Sequence, residues 1–238
     1  MLMSVWISSR PPDADHMYGH QKIENISCLI EGFLVIIAGV LIGNAAYGRL
    51  FSPITLEKLD FAIVVSLFAT SLNGLLSWQL MRTASKTDSM ALEGDAKHLL
   101  SDVISSVGVV FGLYLGKILD IPLADPVMAV IVALIVLRMG IGLVLKAGGG
   151  LMDESCKDAE DNIRRIMDRH KTSFVDYHDL RTRKSGDRVF AELHLSLDGS
   201  LSVQEAHDFT DHLEENIRDE LPNVTLTIHI EPENNGKN

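Results

Sequence analysis

Residues 126–145 read PVMAVIVALIVLRMGIGLVL, an almost unbroken apolar run. A helix needs about 20 mainly apolar residues to cross the roughly 30 Å hydrocarbon core of a bilayer. Three further runs of similar character precede this one, at Ile26–Tyr47, Leu59–Met81 and Ala91–Lys117. Too little polar sequence lies between the four runs to cover them as buried helices of a soluble protein. The sequence therefore predicts a bundle of four transmembrane helices.

Basic residues near the ends of these helices indicate their orientation, because cytoplasmic connections carry an excess of lysine and arginine. On one side lie Arg10, Lys22, Arg82, Lys86 and Lys146. On the other lie Arg49, Lys58 and Lys117. The excess places the Pro11–His20 connection and the C-terminal tail in the cytoplasm. The sequence therefore predicts a multi-pass integral membrane protein with a cytoplasmic C-terminal tail.

Charge is distributed unevenly along the 238 residues, which carry a formal net charge of −11. Residues 152–238 hold 20 acidic and 11 basic residues and so account for −9 of it. An acidic tail argues against nucleic-acid binding, which requires a basic face. The two cysteines, Cys28 and Cys156, form no CxxC pair, so neither a disulfide framework nor a cysteine zinc site is indicated.

The tail changes pattern after Gly148-Gly149-Gly150, which we expect to act as a hinge. Two amphipathic helices and three strands are predicted, in the order helix Lys157–His170, strands Phe174–Arg183 and Arg188–Leu197, helix Val203–Glu220, and strand Val224–Ile230. This α-β-β-α-β order predicts a two-layer α/β domain of ferredoxin-like type. The predicted divisions are a remnant helix and loop (1–25), a transmembrane domain (26–147) and a cytoplasmic domain (152–232).

The third apolar run contains the ionisable pair His98 and Asp102. Residues four apart share one face of a helix. An ionisable group in the bilayer is costly and usually faces an ion path. An imidazole and a carboxylate together supply half of a tetrahedral zinc site, so this pair is a candidate metal site. Asp95 and Lys97, nearer the helix end, are interpreted as interfacial residues.

Two further groups of metal-binding side chains lie outside the membrane segments. Asp13, His16 and His20 fall within eight residues of the cytoplasmic connection, although a loop of this kind can also be plain polar surface. The tail offers a second set on its predicted strands and second helix: His178, His194, His207, His229 and Glu231. We expect this set to form one or two nitrogen–oxygen sites. His170 and His212 are interpreted as surface residues.

With these residues in view, the chain resembles the cation diffusion facilitator family of divalent-metal/proton antiporters. Residues 11–22, PPDADHMYGHQK, are similar to the family's loop after its second membrane helix, with Met17 and Gln21 where the family usually has proline and glycine. His98 and Asp102 match the HxxxD of the family's fifth helix. The stretch His178–Arg183, HDLRTR, is close to the pattern of its cytoplasmic domain. The resemblance covers nearly the whole chain.

The resemblance implies a dimeric efflux transporter that exchanges a divalent cation for protons. The cation is expected to be Zn²⁺, with Cd²⁺, Fe²⁺ and Mn²⁺ as alternatives, since imidazole suits zinc better than it suits hard cations. His98 and Asp102 would hold the transported ion, and the cytoplasmic domain would bind further ions and join a homodimer. The chemistry fits antiport, because protons compete with metal for the same ligands.

One departure concerns the start of the chain. The family has six membrane helices and places the other half of its transport site on the second, whereas the four predicted helices correspond to helices three to six. We therefore expect a chain that lacks the first two helices. The alternative function is a non-transporting membrane metal sensor or regulatory subunit. An enzyme is not expected, because the sequence shows no nucleophile–base arrangement, phosphate-binding loop or HExxH motif.

Overall fold

The computed structural model describes residues 2–51, 60–119 and 123–233, which form two compact units, Met1–Gly148 and Gly149–Asn238. The helices of the first unit are α1 (Leu2–Ser8), α2 (Ile23–Phe51), α3 (Asp60–Thr87), α4 (Met90–Leu119) and α5 (Ala124–Leu151). Helices α2 to α5 coincide with the four predicted apolar segments and extend beyond them. Leu59, the predicted start of the second segment, lies outside the described residues, as does Lys58.

Two of these helices, Ile23–Leu50 and Ala124–Leu151, are long and apolar enough to cross a membrane. Each has 28 residues, which corresponds to about 42 Å of helix at 1.5 Å per residue. Helices α3 and α4 lie where the other two spans are predicted, and their membrane-spanning character stays a prediction.

Glycines let α5 approach two neighbouring helices closely. A Cβ atom placed on Gly39 of α2 would lie 2.8 Å from Leu137 Cγ of α5, and one on Gly108 of α4 would lie 2.2 Å from Val132 Cγ2. Such distances are closer than carbon atoms can approach, so only glycine fits these helix crossings. Gly43, one turn after Gly39, lies at the same interface, since a Cβ atom there would lie 3.6 Å from Ala133 Cβ of α5.

A buried carboxylate joins several elements at one end of this unit. Glu24 of α2 is 8% exposed and accepts hydrogen bonds from the hydroxyls of Ser8 (2.7 Å) and Ser89 (2.5 Å). Ser8 ends α1, and Ser89 lies between α3 and α4. A buried charge is tolerated only when it is hydrogen-bonded, so these two hydroxyls fix the position of Glu24 and of the chain segments that carry them.

The second unit contains α6 (Lys157–Arg169), β1 (Asp176–Ser185), β2 (Arg188–Leu197), α7 (Val203–Glu220) and β3 (Val224–Pro232). The predicted α-β-β-α-β order is confirmed, and β2 and α7 have the predicted bounds. Strand β1 begins two residues later than predicted, because turns follow α6 through Ser173. The predicted hinge at Gly148–Gly150 lies inside helix α5, which shows that tertiary context outweighs the cost of about 1 kcal/mol per glycine.

The sheet of this unit has the order β1-β2-β3, with β1 antiparallel and β3 parallel to β2. One face of β2 is buried at every second residue, including Leu193 and Leu195, and packs against Ile163 and Ile166 of α6 and Leu213 of α7. The intervening residues of β2, His194 among them, therefore face away from the helices, because strand side chains alternate between faces.

We expect Gly108→Ala to destabilise the packing of α4 on α5, since the added methyl group would overlap Val132. Overpacking of this kind costs about 1–3 kcal/mol. Gly142→Ala is the matched control, because no atom lies within 4 Å of a Cβ at that position. In detergent, the temperature at the midpoint of thermal unfolding should be lower for Gly108→Ala than for the unmodified protein. It should not be lowered by Gly142→Ala. Equal midpoints would contradict the close approach.

Candidate metal centre

Three histidines form a row across the sheet on the face opposite the helices. His194 of β2 pairs with His178 of β1 and with His229 of β3. The ring centroids of His178 and His194 are 5.2 Å apart, and those of His194 and His229 are 4.8 Å apart. This row, together with Glu231, is named the sheet cluster. The strand register therefore places His194 between His178 and His229.

The carboxylate of Glu231 contacts all three imidazoles of the sheet cluster. Its Oε1 lies 3.0 Å from His194 Nδ1 and 3.7 Å from His229 Nε2, and its Oε2 lies 3.5 Å from His178 Nε2. Ligand atoms of His178, His194 and Glu231 all lie within 4.8 Å of one another. Two ligands on one tetrahedral ion at about 2 Å are separated by roughly 3.3 Å, so small side-chain rotations could bring these atoms onto one divalent cation.

A β-bulge in β1 follows directly after His178. The pairing of β1 with β2 shifts between His178 and Arg181, and Asp179 has a φ of +52°. An extra residue in one strand bends it and redirects the adjacent side chain. Asp179 can adopt this left-handed conformation because aspartate tolerates it better than most residues. The bulge thus contributes to the placement of His178 beside Glu231.

His207 occupies a different place within the single chain. It lies on α7, 63% exposed, with its Nδ1 3.5 Å from Asp211 Oδ1. Helix α7 packs on the buried face of the sheet, whereas the sheet cluster lies on the other face. The single chain therefore does not bring His207 to His178, His194 and His229, and its role as a ligand stays a prediction.

The loop between α1 and α2 brings Asp13, His16 and His20 together. Asp13 Oδ1 lies 3.2 Å from His16 Nδ1, and Asp13 Oδ2 lies 3.2 Å from His20 Nε2. The two rings have centroids 4.4 Å apart. Gly19, at a φ of +87°, supplies the turn that returns the chain to His20. Ligand atoms of these three residues also lie within 4.8 Å of one another.

Hydrogen bonds hold the Asp13 carboxylate in its ionised form. The backbone N–H of His16 donates to Asp13 Oδ1 at 2.7 Å, and that of Asp15 donates at 3.1 Å. These bonds, that from His16 most of all, keep the pKa of Asp13 below its usual value. Because a metal ligand must be deprotonated, Asp13 is prepared to bind a cation well below neutral pH.

His98 and Asp102 lie one turn apart on α4, as predicted, and both are partly buried. Within the described parts of the chain they belong to no group of three or more ligand atoms.

The structure adds one residue near His98 that the sequence analysis missed. Glu31 of α2 places its Oε2 3.9 Å from His98 Nδ1. It could have been noticed, since it is the one charged residue in the apolar run Ile26–Tyr47 and such residues usually serve a function.

Comparison with known proteins relates both units to transporters. Residues 1–152 match the family model of the cation efflux transmembrane domain. Residues 157–233 match that of the cation efflux protein cytoplasmic domain. This chain belongs to the cation efflux, or cation diffusion facilitator, family. The chain is therefore a membrane transporter-family protein with a cytoplasmic C-terminal domain, and its family is one of transporters, not of enzymes.

Relatives in the cation efflux family are similar over nearly the whole chain. An uncharacterised transporter of Synechocystis is 33% identical over 97% of this chain and 76% of its own length. The cation-efflux pump FieF of Shewanella oneidensis is 29% identical over 93% of this chain and 75% of its own. Among solved structures, the metal-bound C-terminal domain of the CzcD transporter from Thermotoga maritima is 28% identical, with a TM-score of 0.31, and covers 34% of this chain and 93% of its own.

We expect the purified His194→Ala variant to bind one zinc ion fewer per chain than the unmodified protein. His194 is the central imidazole of the sheet cluster and hydrogen-bonds Glu231. Thr227→Ala is the control, because Thr227 is an exposed residue of β3 that pairs with Glu192. Competition with a chromophoric chelator would measure the zinc retained. Equal zinc retention in both variants would exclude the sheet cluster as a site.

Zinc binding to the loop should be lost as the pH falls from about 7 to 5, because protons compete with the metal ion for the imidazole nitrogens. Asp13 should not limit binding in this range, since its pKa lies below the usual 3.8 and it remains ionised. The measurement is the difference in bound zinc between the unmodified chain and Asp13→Ala across pH. A difference that disappears only near pH 4 would mean that the carboxylate controls binding instead.

Proposed function

We propose that this protein exports zinc from the cytoplasm in exchange for protons. The observation that carries the proposal is the combination of imidazole and carboxylate at each candidate site, above all at the sheet cluster. Mixed nitrogen and oxygen ligands of this kind suit Zn²⁺ better than cations that prefer oxygen alone. Membership of the cation efflux family supports the part of the proposal that concerns metal-cation efflux. The types of ligand support the preference for zinc.

His98 and Asp102 are proposed to hold the transported ion. They lie on one face of α4 within an apolar segment, and two ligands leave a tetrahedral zinc ion incomplete. Glu31 Oε2 lies 3.9 Å from His98 Nδ1. An approach of about 1 Å would let this carboxylate accept a hydrogen bond from the imidazole and direct Nε2 at the ion.

The two cytoplasmic sites would bind zinc ions and regulate transport. Asp13, His16 and His20 form a site in the loop that precedes α2, and the sheet cluster forms one on the cytoplasmic domain. We also propose that the cytoplasmic domain forms a homodimer, in a bacterial inner membrane. The matched model of this domain supports this part of the proposal.

Replacing His98 tests the function directly. The natural gene is cloned together with the DNA upstream of it, so that any preceding residues are included. It is then expressed in a host that has no zinc exporters of its own. His98→Ala should abolish zinc efflux, because it removes the one imidazole at the proposed transport site. His98→Asp should retain efflux but shift the preference toward Mn²⁺, a harder cation.

Ser71→Ala is the control, since the Ser71 hydroxyl is exposed and bonds only the Leu67 carbonyl of its own helix. Efflux is followed by a fluorescent zinc indicator and by cytoplasmic pH, which should fall as zinc leaves. Zinc efflux that survives His98→Ala would overturn the transport assignment. Zinc binding without any efflux by the unmodified protein would favour the alternative, a membrane metal sensor.

A further inference from the structure

A second pair of histidines converges on the helical side of the cytoplasmic unit, away from the sheet cluster. His170 follows the last residue of α6, and His212 lies on α7. Their rings are 5.8 Å apart between centroids and nearly perpendicular, at 77°. Asn216, one turn after His212, places its amide nitrogen 3.0 Å from His212 Nε2 and 3.4 Å from His170 Nε2. Both Nε2 atoms are thus directed at the same small region.

The tautomer of His170 follows from its other contact. Its Nδ1 lies 3.0 Å from the carbonyl oxygen of Ile166. A carbonyl can only accept, so Nδ1 carries the proton and Nε2 presents its lone pair. Histidines that bind metals commonly donate their second N–H to a backbone carbonyl, which fixes the ring. His170 therefore has the protonation and the support of a metal ligand.

The spacing of the two rings suits a shared ion. Two imidazoles bound to one tetrahedral ion at about 2.0–2.1 Å have centroids roughly 5 Å apart, close to the observed 5.8 Å. The Asn216 amide occupies the position between them. After rotation of its side chain, its Oδ1 would add an oxygen ligand, and water would complete the coordination.

The electrostatic surroundings favour a cation at this place. Helix α6 ends at Arg169, and the C-terminal end of a helix carries partial negative charge. Helix α7 carries seven acidic residues and one arginine. Two cations flank His170: Arg169, whose charge is neutralised by an ion pair with Glu220 of α7, and the exposed Lys171.

We propose that His170, His212 and Asn216 form a further binding site for a borderline divalent transition-metal cation, with Zn²⁺ the ion tested. An ion bound there would link the end of α6 to α7, the two helices that cover the buried face of the sheet. The site has fewer ligands than the sheet cluster and so fills at higher metal concentration. It is independent of the sheet cluster and of the transport site.

Site-resolved chemical modification tests the proposal on the whole chain. Diethyl pyrocarbonate modifies free imidazole nitrogen, and peptide mass spectrometry reports each histidine separately. Zn²⁺ should protect His170 and His212 from modification in parallel, with half-maximal protection of both at the same zinc concentration, called the midpoint below. His212→Gln should raise the midpoint for His170 by about tenfold or more, and His170→Gln should do the same for His212. Asn162→Ala on α6 should leave both midpoints unchanged.

Far-UV circular dichroism reports whether each variant is folded, and protection of His178 and His194 in the same samples tests the sheet cluster separately. A variant with the spectrum of the unmodified chain is folded, and its result at His170 or His212 can be interpreted. If a variant lacks this spectrum, the conservative His212→Asn replaces His212→Gln in the same measurement. A midpoint for His170 that does not change when His212 is replaced overturns the shared site. So does reactivity of His170 and His212 that Zn²⁺ does not alter.

Discussion

The alternation of side chains along β2 determines both the stability and the chemistry of the cytoplasmic unit. Leu193 and Leu195 are buried against α6 and α7, so His194 between them must face the other way. The pairing with β1 and β3 then places His178 and His229 on either side of it. A shift of one residue in the register would move the apolar set to solvent and the histidines into the core. Core packing therefore enforces the alignment of the candidate metal ligands.

A comparable link between packing and chemistry exists in the helical unit. Gly32 and Gly39 bring α2 against α5, and Gly108 brings α4 against the same helix. This close approach leaves α2 and α4 adjacent, so that Glu31 reaches the vicinity of His98. Small residues at the crossings allow ionisable residues of different helices to meet, which in an apolar medium is the condition for tolerating them.

The sequence was sufficient for features that depend on local pattern. The bounds of β2 follow from the alternation of apolar and polar residues, and those of α7 follow from helical periodicity. The grouping of Asp13, His16 and His20 in the loop before α2 follows from their close spacing in the sequence. Features that depend on tertiary contacts were not predictable. Continuation of α5 through three glycines, the bulge at Asp179 and the convergence of His170 with His212 each require knowledge of which elements pack together. The position of His207, on the other side of the sheet from His194, is a further case.

The sheet cluster is open on one side, with the His229 side chain 65% exposed and Glu231 29% exposed. Water can replace such ligands one at a time, so a bound ion leaves without any unfolding of the strands. A metal ion held at this proposed site would therefore exchange with the cytoplasm while the domain stays folded. The occupancy of such a site would follow the free metal concentration, as a sensor requires and a storage site does not.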